Sequence, residues 1–175
     1  MPVLEQLRAR IVRQGPSLLR IPLTFMPFAL QRQVLQQLLH WQFRQALADG
    51  ELEFLASRWL EVDVRDLGLR WYVTVENDRL KISADATPDV RFSADANDLI
   101  LIAARRRDPD TLFFQRRLRI EGDTELGLYV KNLMDAVDLD TLPPVLRQGL
   151  TQLADFIEAG MQQDTATFSR AGELC

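Results

Sequence analysis

The spacing of apolar positions changes period along the chain, from helical to alternating and back. Residues 3–14 place Val3, Leu4, Leu7 and Ile11, with Val12 beside them, at helical spacing, which makes one apolar stripe on a short amphipathic helix. Gly15-Pro16 ends it. Residues 31–48 repeat the spacing with Val34, Leu35, Leu38, Leu39, Phe43, Ala46 and Leu47, and Asp49-Gly50 stops the helix. From Trp59 the period is two. Leu60, Val62 and Val64 alternate with Glu61, Asp63 and Arg65, and Leu69, Trp71, Val73 and Val75 alternate with Arg70, Tyr72, Thr74 and Glu76. Leu80 and Ile82 alternate with Arg79, Lys81 and Ser83 after an Asn77-Asp78 turn; Val90 and Phe92, then Leu118 and Ile120, complete the series. Five segments with one dry and one charged face predict a mainly antiparallel five-stranded sheet, wetted on one side.

Helices must cover the dry face, so the fold class is α+β. Asp95 to Asp98 predicts the cap of a helix through Leu99, Ile102 and Ala103, closed by Arg105, Arg106 and Arg107 at the negative end of its dipole. Asp108-Pro109-Asp110 reads as a turn before a short helix bearing Phe113 and Phe114. Asp123 caps a helix whose Leu126, Tyr129, Val130, Leu133, Met134 and Val137 share one face. Pro143-Pro144 opens the last helix, with Leu146, Leu150, Leu153, Ala154, Ile157 and Met161 on one side. This divides the chain into a basic amphipathic helical segment over 1–48, a sheet-and-helix domain over 49–161 and a flexible tail over 162–175.

Charge sharpens that division. The net charge is −4, yet residues 1–48 hold six arginines against Glu5, a net +5, and the remainder carries −9. A basic, greasy segment on an acidic body points to an anionic membrane surface as its partner. Nucleic acid is disfavoured, because the segment holds no recognisable binding motif. Within it, Ser17 to Leu30 is interrupted by Pro22 and Pro27, follows Pro16, and is too short to span a bilayer. Leu18, Leu19, Ile21, Phe25, Met26 and Phe28, with Arg8, Arg10, Arg13 and Arg20 nearby, form a candidate membrane-docking set. Each large side chain buried in the headgroup zone gains about 1.5–3 kcal/mol, and each arginine adds about 1 kcal/mol at an anionic leaflet. Ordinary packing against the domain is the competing reading.

Catalytic chemistry is sparse. His40 is the only imidazole and sits mid-helix between Leu39 and Trp41, where a structural or exposed histidine is the usual case. With His40 and Cys175 as the only soft ligands, the chain alone builds neither a zinc site nor an iron–sulfur cluster. No Gly-x-Gly pair cradles a phosphate. Asp108 with Asp110, and Glu121 with Asp123, fall at turns and helix starts where carboxylates cap. The expectation is a non-enzyme without cofactor or metal.

The run from Asp89 to Leu99, then Asp108 to Phe114, then Leu118-Arg119-Ile120-Glu121-Gly122-Asp123 resembles the sterol carrier protein type-two domain family, over about residues 50–140. One departure is that many members have a glycine before the final strand, where this chain has Arg116-Arg117. The Gly15-Pro16-Ser17-Leu18-Leu19 run, the Trp41-to-Leu47 helix and Glu121-to-Leu133 look like a bacterial family of ubiquinone biosynthesis accessory factors within it. That resemblance implies oxygen-independent ubiquinone synthesis, binding of polyprenyl quinone intermediates or phospholipid, iron–sulfur hydroxylases of the pathway as partners, and a cytoplasmic protein peripherally associated with the inner membrane. Phe113, Phe114, Leu126, Val130, Leu133 and Met134 are the candidate lipid-binding residues, between the dry sheet face and helices at 95–107, 123–137 and 145–161. The alternative is a solid-cored adaptor docking partner enzymes at the membrane.

Overall fold

The computed structural model describes residue 7, residues 10–12, residue 14 and residues 26–172, with side chains described to residue 162. The alternating segments extend as five strands: β1 (Leu60–Val64), β2 (Leu69–Glu76), β3 (Arg79–Ser83), β4 (Val90–Ala94) and β5 (Arg119–Gly122). They form one sheet in the order β3-β2-β1-β4-β5. Asn77 and Asp78, with φ of 52° and 56°, make the tight turn between β2 and β3, because paired positive φ matches the twist of the two strands.

The sheet is mixed. Pairs β1–β2, β2–β3 and β4–β5 are antiparallel, but the central pair β1–β4 is parallel, which corrects the antiparallel expectation in detail. Alternation assigns faces and says nothing of direction. The register supplies the reason: Ile82 of β3 lies level with Val73, Leu60 and Val90. β3 therefore ends where β1 begins, and residues 84–89 need only cross beneath two strands, with no helical crossover of the usual length.

Among the described residues the sheet is accompanied by α1 (Phe28–Ala48), α2 (Ala96–Ala103), α3 (Pro109–Phe114), α4 (Thr124–Asp135) and α5 (Pro144–Gly172). α1 rests on β3, α4 on β4 and β5, and α5 on α2. The main core joins Leu60, Val90, Phe92 and Ala94 of the sheet to Leu112, Leu126 and Val130 of the helices. A second core joins Val12, Leu101, Ala104, Ala154 and Ile157.

Three local expectations change. Asp95 makes no side-chain cap at α2; Asp66 Oδ1 accepts from Ala96 N–H at 2.9 Å instead, while Asp95 faces Arg65 Nε at 3.1 Å. Arg105 donates to the Asp135 and Val137 carbonyls at 2.6 and 2.7 Å, so it caps the end of α4, not its own helix. The segment read as a tail from residue 162 continues α5 in helical backbone to Gly172. Its apolar pattern fades there, but nothing in it breaks a helix before Gly172.

Candidate lipid-binding site

The dry face is floored by β1, β2, β4 and β5 and roofed by α4. Gly122 fixes the junction between floor and roof. Its φ is +107°, and a Cβ there would sit 2.4 Å from the Asp89 carbonyl oxygen, so only glycine fits without strain. Asp123 N–H donates to that same carbonyl at 2.9 Å, and the Asp123 carboxylate accepts from Leu126 N–H at 3.0 Å. This hydrogen bond, with Arg58 at 3.2 Å, holds the Asp123 carboxyl below the usual range. The Glu-Gly-Asp sequence is therefore one device: a close approach, a turn and a helix cap.

α4 carries Leu126 and Val130 into the main core, where they are 5% and 3% exposed. Met134 packs against that core partly buried, and Leu133 is half-buried. Tyr129 stacks on Phe54 with ring centroids 5.1 Å apart. On the sheet, Val62, Val75 and Ile120 are likewise packed against the core without being enclosed. Four of the six candidate lipid-binding residues thus share the underside of α4. The other two do not join them: Phe113 is 43% and Phe114 81% exposed, because α3 turns Pro109 and Leu112 inward.

α1 is the part the sequence reading undervalued. It buries no residue along its whole length, although Leu35, Leu38, Leu39 and Phe43 are half-buried. Polar side chains tie it down: Trp71 Nε1 donates to Gln31 Oε1 at 3.1 Å, and Gln42, in the amide orientation that satisfies both of its polar atoms, pairs with the Asp138 backbone at 3.2 and 2.8 Å. Phe43, at φ −111° and ψ 15°, interrupts the helix. A helix with few enclosed contacts belongs to the low-stability end of a fold. The signal was visible as six glutamines and no acid between residues 28 and 48.

Two charged clusters brace the frame. On the wet face Glu61 is 1% exposed beneath Arg70 and Arg91, whose Nε atoms lie 3.1 and 2.8 Å from Oε1. Neither N–H is aligned to hydrogen-bond that oxygen; Arg91 Nη2 donates to Oε2 at 3.2 Å instead. Asp98, 2% exposed, holds Arg117 by two hydrogen bonds. Burial pushes its carboxyl up, against the pull of that guanidinium. An open groove of about 700 Å³ lies at the start of α5, lined by Leu139 and Pro144 as well as Arg105, Asp138, Arg147 and Thr151; none of the four α4 candidates lines it.

Of the candidate docking set, Arg8, Arg13, Leu18, Leu19, Arg20, Ile21 and Phe25 lie outside the described residues. Arg10 is exposed, and Met26 and Phe28 are half-buried. Leu7 and Ile11 face outward at 51% and 47% exposure. Val12 does not. It is 6% exposed, its carbonyl accepts from Asn97 Nδ2 at 3.0 Å, and its Cγ2 stands 2.5 Å from where a Cβ on Gly160 would be. The N-terminal segment is anchored in the second core there. No helix among the described residues is long and apolar enough to cross a membrane.

Comparison with known proteins follows the same outline. Residues 35–135 match the SCP-2 sterol transfer family, a span that takes in most of α1 as well as the sheet and α4. The chain is 62% identical over 174 residues, 99% of its own length and 100% of the relative, to the ubiquinone biosynthesis accessory factor UbiT of Escherichia coli K12. The factor of the same name in E. coli O157:H7 matches equally. Among solved structures, the UbiJ-SCP2 ubiquinone synthesis protein superposes with a TM-score of 0.53 at 18% identity, covering 64% of this chain and 100% of that one; this likeness concerns the fold.

Proposed function

From membership of the SCP-2 sterol transfer family, and within it of the UbiT group of ubiquinone biosynthesis accessory factors, to which this chain belongs, we propose that it holds the polyprenyl tail of ubiquinone intermediates without converting them. The carrying observation is α1, which lies on the sheet with no residue buried, over dry-face side chains that are only partly enclosed. The physical need is plain. Each isoprene unit adds five carbons, at about 0.8 kcal/mol per carbon exposed to water, so a long prenyl tail cannot travel unshielded to a soluble hydroxylase.

On this reading Leu126, Val130, Leu133 and Met134 form the roof and α1 is the movable cover. The chain serves oxygen-independent synthesis beside iron–sulfur hydroxylases, peripherally at the cytoplasmic side of the inner membrane, with residues 1–30 contributing a basic, apolar contact to anionic lipid. A second reading, a solid-cored adaptor that docks partner enzymes, draws support from the close burial of Leu126 and Val130.

Thermal unfolding with added quinone precursors separates the two. Tail binding raises the melting temperature, by an amount corresponding to about 2.7 kcal/mol at a hundredfold excess over Kd, and the shift grows with tail length. A shift absent for long-tailed precursors, or independent of tail length, rejects the pocket and leaves the adaptor.

A further inference from the structure

α3 carries three consecutive large apolar residues and encloses one. Leu112 is fully buried in the main core, whereas Phe113 and Phe114 stand out at 43% and 81% exposure. Their rings meet edge to face at 5.9 Å, so they form a single protrusion. The helix beneath them is fixed. Asp108 accepts from both Thr111 N–H and Oγ1 at 3.0 Å, Lys131 pairs with Asp110 at 2.8 Å, and Arg117 N–H donates to the Leu112 carbonyl at 2.9 Å. Isolated exposed apolar residues are common, but a rigid aromatic pair wants a surface to bury it.

The surrounding charge says what that surface is. Arg107 and Arg116 flank α3 and Arg119 opens β5; all three are exposed, and none has an acidic partner among the described residues. Their neighbours are engaged elsewhere, Arg106 with Asp155 and Arg117 with Asp98. Asp108 and Asp110, the acids of α3 and its cap, are spent on that cap and on Lys131. Arg116 is moreover held at φ 60°, a left-handed conformation that glycine would adopt at no cost. We infer that Phe113 and Phe114 insert into the acyl boundary of an anionic bilayer while Arg107, Arg116 and Arg119 meet its phosphates. An exposed aromatic pair with unpaired arginines close to it along the chain matches that interface, where rings sit at headgroup depth and basic side chains face lipid phosphate. This tip is separate from residues 1–30, and the inference rests on the reading that the chain works at a membrane.

Co-sedimentation of the full chain with vesicles of phosphatidylcholine and phosphatidylglycerol tests it. Phe113→Ser with Phe114→Ser weakens binding at least about tenfold at any salt concentration. Arg107→Gln, Arg116→Gln and Arg119→Gln lower the salt-sensitive part, about fivefold per arginine, and leave the share carried by residues 1–30. Phe114→Ser alone, at so exposed a position, keeps the wild-type melting temperature and still loses affinity. Wild-type binding that survives in the phenylalanine variants overturns the tip and leaves the membrane reading standing. Absence of wild-type binding overturns both. Phenylalanine variants that bind vesicles normally but fail to support quinone production in cells would put the rings on a protein partner, which also overturns the tip.

Discussion

Gly122 and Asp123 show how much of the site is settled by two residues. The Gly122 backbone runs so close to Asp89 that a methyl group has no room, and Asp123 both bonds that carbonyl and caps α4. Gly122→Ala is expected to cost more than about 2 kcal/mol, from the unfavourable φ and the clash together, measured as a drop in urea midpoint at unchanged slope. A loss within error of zero would mean that the junction relaxes and does not position α4. The Asp123 cap was legible from its place before an apolar helical run. The Asp95 cap was not, because Asp66, which took its place, lies in a separate loop and nothing local in the sequence brings the two together. Arg105 was misassigned for the same reason: its acceptors belong to α4, and helix-end chemistry read along the chain finds only its own helix.

Element by element, the strands were legible because one side is dry and the other charged, which alternation records directly. Their order and the parallel central pair were not, since direction depends on the stagger of β3 and the short crossing at 84–89. α1 was legible as a helix but not as a loosely seated one, because half-burial of Leu35 and Leu39 comes from packing that spacing cannot show. Sequence left the N-terminal segment open between lipid and the domain body; at Val12 it is buried against Gly160 of α5. Gly160→Ala forces Val12 outward, at about 1–3 kcal/mol of overpacking. Limited proteolysis then cuts the first residues of the chain faster than in the wild type, with the sheet protected in both. Equal cutting rates would show that the first residues are not held through Val12.

For the molecule as a whole, a sheet with one dry face lies under helices of unequal grip. α4 and α3 are held through Leu126, Val130 and Leu112 in the main core, whereas α1 buries no residue and is tied by polar side chains. On the proposed reading lipid lies between α1 and the sheet, while Phe113 and Phe114 stand exposed on the outside of the molecule. The candidate site was half legible in sequence: the periodic face of α4 announced Leu126, Val130, Leu133 and Met134, but aromatic content alone could not say which way α3 points. The central claim is that the protein carries a prenyl tail, and mass spectrometry of an organic extract of the chain purified from quinone-producing cells reads it directly. The account predicts a polyprenylated quinone or precursor in stoichiometric amount, lost when Met134 and Val62 are replaced by glutamine in a protein that still melts cooperatively. An extract empty of isoprenoid and acyl lipid, from protein that remains folded and active in supporting quinone synthesis, would contradict it.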